Sequence, residues 1–175
     1  MSRIQPQIIT LKNEQTALIR SADQSDAAAL IDLLREVVPE EFKQTVESEV
    51  KRIEAFDQPP GRVAMVAEIG GKIVGSLDIR NGEQPRLRHR GVLGVFVAGP
   101  FREIGLGTAL VRLALDWATR DTLIEKVSLE VLANNRGAIT LYRRMGFVEQ
   151  GRLPRETRLG AEEYVDNILM FRFVK

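Results

Sequence analysis

Pro100-Phe101-Arg102-Glu103-Ile104-Gly105-Leu106-Gly107-Thr108-Ala109-Leu110 follows the apolar run Val92-Leu93-Gly94-Val95-Phe96-Val97 and opens a segment of helical periodicity. A strand, then two glycines with Arg102 just ahead of them, then a helix, is the pattern of a phosphate cradle. Glycine leaves the backbone open, so successive N–H groups can turn toward an anion. The helix start adds unpaired N–H groups and the positive end of its dipole. Arg102 supplies a planar cation suited to phosphate oxygens. The turn is therefore expected to hold a phosphorylated ligand, although glycines also occur in plain strand-to-helix connections.

Two common phosphate motifs do not fit. From Gly105 the chain reads G-L-G-T-A-L, with Leu110 where a dinucleotide fingerprint needs its third glycine. Gly94 and Gly99 have the separation of a mononucleotide P-loop, but Pro100 stands where its lysine belongs. What remains is R-x-x-G-x-G between a strand and a helix.

Further on, Val127-Ser128-Leu129-Glu130-Val131-Leu132-Ala133 reads as a strand, and Asn135 to Phe147 reads N-x-x-A-x-x-L-Y-x-x-x-G-F. The two segments, in this order and at this distance, resemble the GNAT superfamily of N-acetyltransferases, which use acetyl-coenzyme A. The resemblance is firmest over residues 92–147. It extends more loosely to Ile19-Arg20-Ser21-Ala22 and Asp26-Ala27, which read like the family's opening strand and first helix, and to Glu163-Tyr164-Val165-Asp166-Asn167-Ile168-Leu169-Met170, which reads like a closing strand.

The resemblance implies an α/β (α+β) fold, one domain over residues 1–175, with a mixed central sheet flanked by helices. The strands ending near Val97 and starting near Lys126 would be parallel neighbours that splay apart and admit coenzyme A. It implies acetyl-CoA as cosubstrate and no metal. The expected coenzyme contacts are Val95, Phe96, Val97, Arg102, Glu103, Ile104, Gly105, Leu106, Gly107, Thr108, Asn135 and Tyr142. A homodimer is a family-level expectation.

Composition agrees. The chain has 175 residues, 44% hydrophobic and 28% charged, the profile of an ordinary globular protein with a sizeable core. Lys and Arg number 25 against 24 Asp and Glu, so charge gives no reason to expect nucleic acid or a membrane surface as partner. Cysteine is absent, which removes disulfides, thiolate metal sites and a cysteinyl acyl intermediate. No long apolar run is present, so neither a signal peptide nor a membrane span is expected, and a cytoplasmic location is the default.

Pattern and punctuation predict a hairpin over residues 7–20 with its second strand at Ala17 to Arg20. Helices follow from Asp23 to about Val38, ended by Pro39, and from Glu41 to Phe56, with Phe42, Val46, Val50 and Ile53 at helical spacing. Strands are expected at Arg62 to Glu68 and Lys72 to Arg80, joined at Ile69-Gly70-Gly71, and from about Arg86 to Val97. A helix runs to about Arg120 with Leu106, Leu110, Leu113 and Trp117 as its buried stripe. Next come a strand at Lys126 to Ala133, a short helix at Asn135 to Met145, and strands at Phe147 to Leu153 and Glu163 to Phe173.

Acetyl transfer to an amine needs the amine neutral, a donor for the carbonyl oxygen, and a proton for the leaving thiolate. Tyr142 is the candidate general acid: the family tyrosine in this motif points at the coenzyme sulfur, and a phenol stays protonated at neutral pH. A packed tyrosine with a backbone partner is the alternative. Asn135 either caps its helix or reaches the cofactor, and the two roles are compatible. Glu130 is the leading candidate base. Strand alternation puts it opposite Leu129 and Val131, and it precedes Tyr142 by the spacing seen in the family's ribosomal-protein acetylases. A solvated or ion-paired glutamate reads the same way. Arg88, His89, Glu40, Glu41 and Asp78 are rivals. Many family members carry an acidic residue in the strand before the glycine turn; Leu93-Gly94-Val95-Phe96-Val97 has none. That departure leaves the base open, with a water relay among the choices.

Arg143 and Arg144 either reach the coenzyme phosphates or are solvated. The acceptor is read as a small-molecule amine or a peptide or protein N-terminus. Glu36, Glu40, Glu41, Glu47 and Glu49, with Tyr164 and Asp166 later, lie in the segments that set family specificity, and acidic groups there would suit a cationic amine. A coenzyme A sensor without turnover, or transfer of another acyl group, are the competing functions.

Overall fold

A computed structural model describes residues 3–37, 44–57 and 60–175. Its centre is one eight-stranded sheet. The chain runs β1 (Gln7–Thr10), β2 (Thr16–Ser21), α1 (Ala27–Val37), α2 (Val46–Asp57), β3 (Val63–Ile69), β4 (Lys72–Asn81), β5 (Arg90–Val97), α3 (Leu106–Arg120), β6 (Lys126–Leu132), α4 (Arg136–Arg144), β7 (Val148–Arg158) and β8 (Tyr164–Phe173). The strand order is β1-β2-β3-β4-β5-β6-β8-β7, antiparallel throughout except for the parallel pair β5 and β6.

Each face of the sheet is covered by helices, and residue pattern decides which. In β3 the run Val63-Ala64-Met65-Val66-Ala67 is buried on both faces, as a strand with helices on either side must be. Val63, Met65 and Ala67 join one apolar cluster with Leu93, Leu106, Leu110, Trp117, Val127, Leu129 and Val131, so α3 and α4 pack on that face. Ala64 and Val66 join the other cluster, with Leu30, Leu33, Ile53 and Phe56 from α1 and α2. Strand alternation then fixes every neighbour. Asp78, paired with Ala64, and Gly94, paired with Asp78, lie on the face of α1 and α2. So does Glu130, because Leu129 and Val131 point the other way.

Three expectations are corrected. The alternation Arg86-Leu87-Arg88-His89 is not a strand. Pro85, which fixes its own φ, opens a 3-10 turn at Pro85–Leu87, and β5 begins at Arg90. Asp23 does not cap α1 directly. It caps a 3-10 turn, Gln24–Asp26, whose Asp26 carboxylate bonds back to the Asp23 N–H at 2.7 Å, and α1 continues from Ala27. The second helix begins at Val46, where Thr45 and Ser48 exchange capping bonds of 3.0 and 3.2 Å. Val46, expected in its apolar stripe, is exposed, and Glu49 is buried instead. Val38, Pro39, Glu40, Glu41 and Phe42 lie outside the described residues.

Candidate active site

β5 and β6 are hydrogen-bonded only at Arg90↔Lys126, Gly91↔Val127 and Val92↔Ser128. Beyond that point each keeps its outer partner. β5 stays paired with β4 as far as Val97, and β6 with β8 as far as Leu132. The inner edges of Leu93–Val97 and Leu129–Leu132 therefore face a split rather than each other. Backbone groups along such an edge must find another partner, and an extended ligand arm with its own amides can supply it.

The split leads to the glycine turn. Gly105 is the N-cap of α3 with φ +95°, a left-handed conformation that favours glycine, and no side chain caps the helix. Glu103 also has positive φ, +63°. The first N–H groups of α3 are thus left for a ligand. Gly107 is the close-approach position: a Cβ there would stand 3.4 Å from Leu141 Cδ1 and 4.0 Å from Val97 Cγ2. These contacts place the start of α3 against α4 and the end of β5. Arg102 is drawn back, its Nε donating to the Val97 carbonyl at 3.0 Å, which leaves the outer guanidinium nitrogens for an anion. The sequence reading missed Lys12. Its N–H donates to the Ile104 carbonyl at 3.1 Å, and its Cγ lies 3.8 Å from where a Gly105 Cβ would be. A groove of about 250 Å³ beside the turn is lined by Lys12, Gly105, Thr108 and Arg112 among others. No local signal could place a lysine from the β1–β2 turn there; only the strand order does.

On the other side of the split, Asn135 caps α4, accepting from the Ala138 N–H at 3.1 Å. Its amide nitrogen makes no hydrogen bond among the described residues. Tyr142 is 6% exposed, packs edge-on against Phe147 at 5.8 Å between centroids, and its hydroxyl has no hydrogen-bond partner among the described residues. Burial pushes the phenol up to about 12. Arg143 sits 3.9 Å from Glu149 in an exposed pair; Arg144 makes no salt bridge among the described residues.

Glu130 is exposed and accepts from Asn167 Nδ2 at 2.5 Å, while Thr157 donates to Asn167 Oδ1 at 2.9 Å. The chain Thr157–Asn167–Glu130 crosses β7, β8 and β6 and fixes the carboxylate. Of the rival bases, Arg88 and His89 are exposed at the closed end of β5, where it is still paired to β6, and the split does not reach them. Asp78 differs. It is 8% exposed, with Arg52 Nη1 3.4 Å from Oδ1 and Arg80 Nε 2.9 Å from Oδ2. The Arg80 approach is not aligned for a hydrogen bond, so Oδ2 is buried without one. Burial pushes the Asp78 carboxyl up, against the pull of Arg80 and Arg52, and nearby Glu49 pushes the same way. Glu49 is fully buried and held by Arg52 at 2.6 and 2.9 Å.

No helix among the described residues is long and apolar enough to cross a membrane, and no cluster of potential metal ligands occurs among them. A cavity of about 350 Å³ beneath α1, lined by Arg20, Asp26, Glu68 and Lys72 among others, lies on the β2–β4 side, apart from the split.

These features define a class. The model of the acetyltransferase (GNAT) family matches residues 27–147. The chain is 31% identical over 113 residues to the L-amino acid N-acetyltransferase AaaT of Escherichia coli, spanning 65% of this chain and 69% of that protein. It is 32% identical over 157 residues to an N-alpha-acetyltransferase of Sulfolobus acidocaldarius, 85% of each. A GNAT-family acetyltransferase from Streptococcus pneumoniae superposes with a TM-score of 0.84 at 27% identity, over 90% of this chain and 99% of that one. The yncA acetyltransferase of Salmonella typhimurium, solved with acetyl-CoA, superposes with a TM-score of 0.82 at 20% identity, over 91% and 94%. The protein belongs to the GNAT family and is an N-acetyltransferase.

Proposed function

We propose that the protein moves an acetyl group from acetyl-coenzyme A to a primary amine by direct attack in a ternary complex. The observation that carries this reading is the β5–β6 split running onto an uncapped, glycine-started helix in a chain of the acetyltransferase family. The pyrophosphate lies on the N–H groups from Ile104 to Thr108, with Arg102 beside it. The pantetheine arm follows Val95, Phe96 and Val97 along the inner edge of β5, and Asn135 meets it from α4. The relatives named for L-amino acids and for N-alpha positions favour an acceptor with a free α-amine, either an amino acid or a peptide N-terminus.

Glu130 removes a proton from the incoming ammonium. The neutral amine then attacks the thioester carbon, and the C–S electron pair leaves on sulfur. Tyr142 donates a hydrogen bond to that sulfur. A phenol near 12 facing a thiol of ordinary pKa, about 8.5, would transfer its proton uphill by roughly 5 kcal/mol. Stabilising the thiolate through a hydrogen bond is the better match to this tyrosine than complete protonation. Thiol release from acetyl-CoA, followed across L-amino acids, amino acid amides, spermidine and short peptides, tests the reading. Amine-dependent release is expected, and its absence with every amine would overturn it.

A further inference from the structure

We infer that the acceptor amine enters over Gly94 and is held between the carboxylates of Asp78 and Glu130; the inference rests on the acetyl-transfer reading above. Asp78 is then the group that binds the ammonium, while Glu130 takes its proton.

The geometry comes from register. Asp78 is the cross-strand partner of Gly94. Carrying the parallel register on from Val92↔Ser128 brings Gly94 level with Glu130 across the split. All three share the face of α1 and α2. Two strand spacings separate the carboxylate-bearing residues, about 10 Å between backbones before the splay widens it. Gly94 leaves the space between them unfilled. Among the described residues, a Cβ there would meet only one atom within 4 Å, Asp78 Oδ1 at 3.6 Å.

Charge favours a cation. Among the described residues, Glu49 and Arg52 from α2 and Arg80 from β4 are the charged groups facing Asp78; its cross-strand neighbours, Ala64 and Gly94, carry none. With Glu130 included, three carboxylates stand against two guanidiniums. Arg52 is already committed to Glu49 by two short bonds and reaches Asp78 only at 3.4 Å. Asp78 Oδ2 lies 2.9 Å from Arg80 Nε without an aligned hydrogen bond among the described residues, and Oδ1, the oxygen nearest the Gly94 gap, has only the long contact to Arg52. A buried carboxylate left short of donors lowers its energy by accepting from an ammonium.

The proton and electron balance is complete. The ammonium held by Asp78 gives one proton to Glu130, which passes it to solvent. The C–N bond forms and the C–S bond breaks. The second amine proton leaves with the thiolate, giving amide and free thiol.

The test uses methylammonium chloride as probe, with sodium chloride at equal ionic strength as control, on protein labelled at its side-chain carboxyl carbons. The Asp78 and Glu130 resonances are expected to move together along one saturating curve. Gly94→Val fills the gap on a strand-compatible backbone and should abolish that response while coenzyme A affinity stays unchanged. Asp78→Asn should require at least tenfold more methylammonium to move Glu130. With an accepted amine, Asp78→Asn should raise KM, whereas Glu130→Gln should lower kcat. Independent or absent shifts in the parent protein, or an unchanged response in folded Gly94→Val, overturn the inference. Joint shifts without acetylation of any amine would leave this pocket standing and sink the transfer reaction instead.

Discussion

Asp78 and Gly94 face each other across β4 and β5, and a side chain begun at Gly94 would have its Cβ 3.6 Å from Asp78 Oδ1 with no other atom of the described residues within 4 Å. The strand before the glycine turn lacks an acidic residue, and its neighbour carries one against the same gap. The cost of burying Asp78 is met in part by Arg52 and Arg80, neither of which makes a short, aligned bond to it. Such partial pairing suits a carboxylate whose last partner is a substrate.

Replacing Gly107 by Val should abolish coenzyme A binding in a folded protein. The new Cβ would sit at 3.4 Å from Leu141 Cδ1, tight but next to a movable side-chain end, and its methyls would crowd the mouth of the turn. Gly105→Ala forces a left-handed residue at φ +95° and should cost about 1–3 kcal/mol of stability. Calorimetry with coenzyme A and urea unfolding measure the two effects. Undiminished affinity in folded Gly107→Val would move the phosphate site elsewhere.

Tyr142→Phe keeps the packing against Phe147 and removes one donor. Turnover should fall by roughly 10- to 100-fold, the size of a lost hydrogen bond to a charged atom, with coenzyme affinity retained. The loss should shrink for acetyl donors whose thiols leave easily. Full activity with acetyl-CoA across several amines would make this tyrosine a packing residue only.

Arg52→Met should be strongly destabilising. Glu49 is fully buried and Arg52 is its charge partner at 2.6 Å, so removing the arginine strands a carboxylate in the core beside Asp78. A loss of about 3–5 kcal/mol in urea unfolding is expected. A change below about 1 kcal/mol would show that the cluster contributes nothing to holding α2 on the sheet.

Asp166 supplies an acid-sensitive contribution to the β7–β8 hairpin. A hydrogen bond from the Arg155 N–H, with further help from Arg152, holds its carboxyl below the usual range. A depressed folded pKa stabilises the fold above the unfolded value, near 3.8, and that contribution is lost as pH falls through the folded value. Parent protein should therefore melt higher than Asp166→Asn at pH 7, and the gap should narrow once pH falls below the unfolded value near 3.8. An equal gap at pH 7 and below that value would contradict this.

The site divides sharply into what local sequence carries and what it cannot. R-x-x-G-x-G and the Asn135–Phe147 motif are each continuous, so the turn, the α4 cap and Tyr142 were all legible, and alternation alone set Glu130 opposite Leu129 and Val131. The strand expected from Arg86 failed because an alternating charge pattern on an exposed turn looks like a half-buried strand. Glu49 is buried where the apolar spacing pointed to Val46, because a salt bridge to Arg52 one helical turn away compensates the buried acid. Lys12 beside Gly105, and Asp78 beside Gly94, depend on which strands are neighbours and in what register. Those pairings are non-local, and no single stretch of sequence contains them.

The most direct test of the account is the release of free thiol from acetyl-CoA with amine concentration as the variable. Saturating, amine-dependent release is predicted in the parent protein, abolished in Gly107→Val and reduced in Tyr142→Phe and Glu130→Gln. Thiol release that ignores the amine, or that is equal in all four proteins, would contradict acetyl transfer at this site.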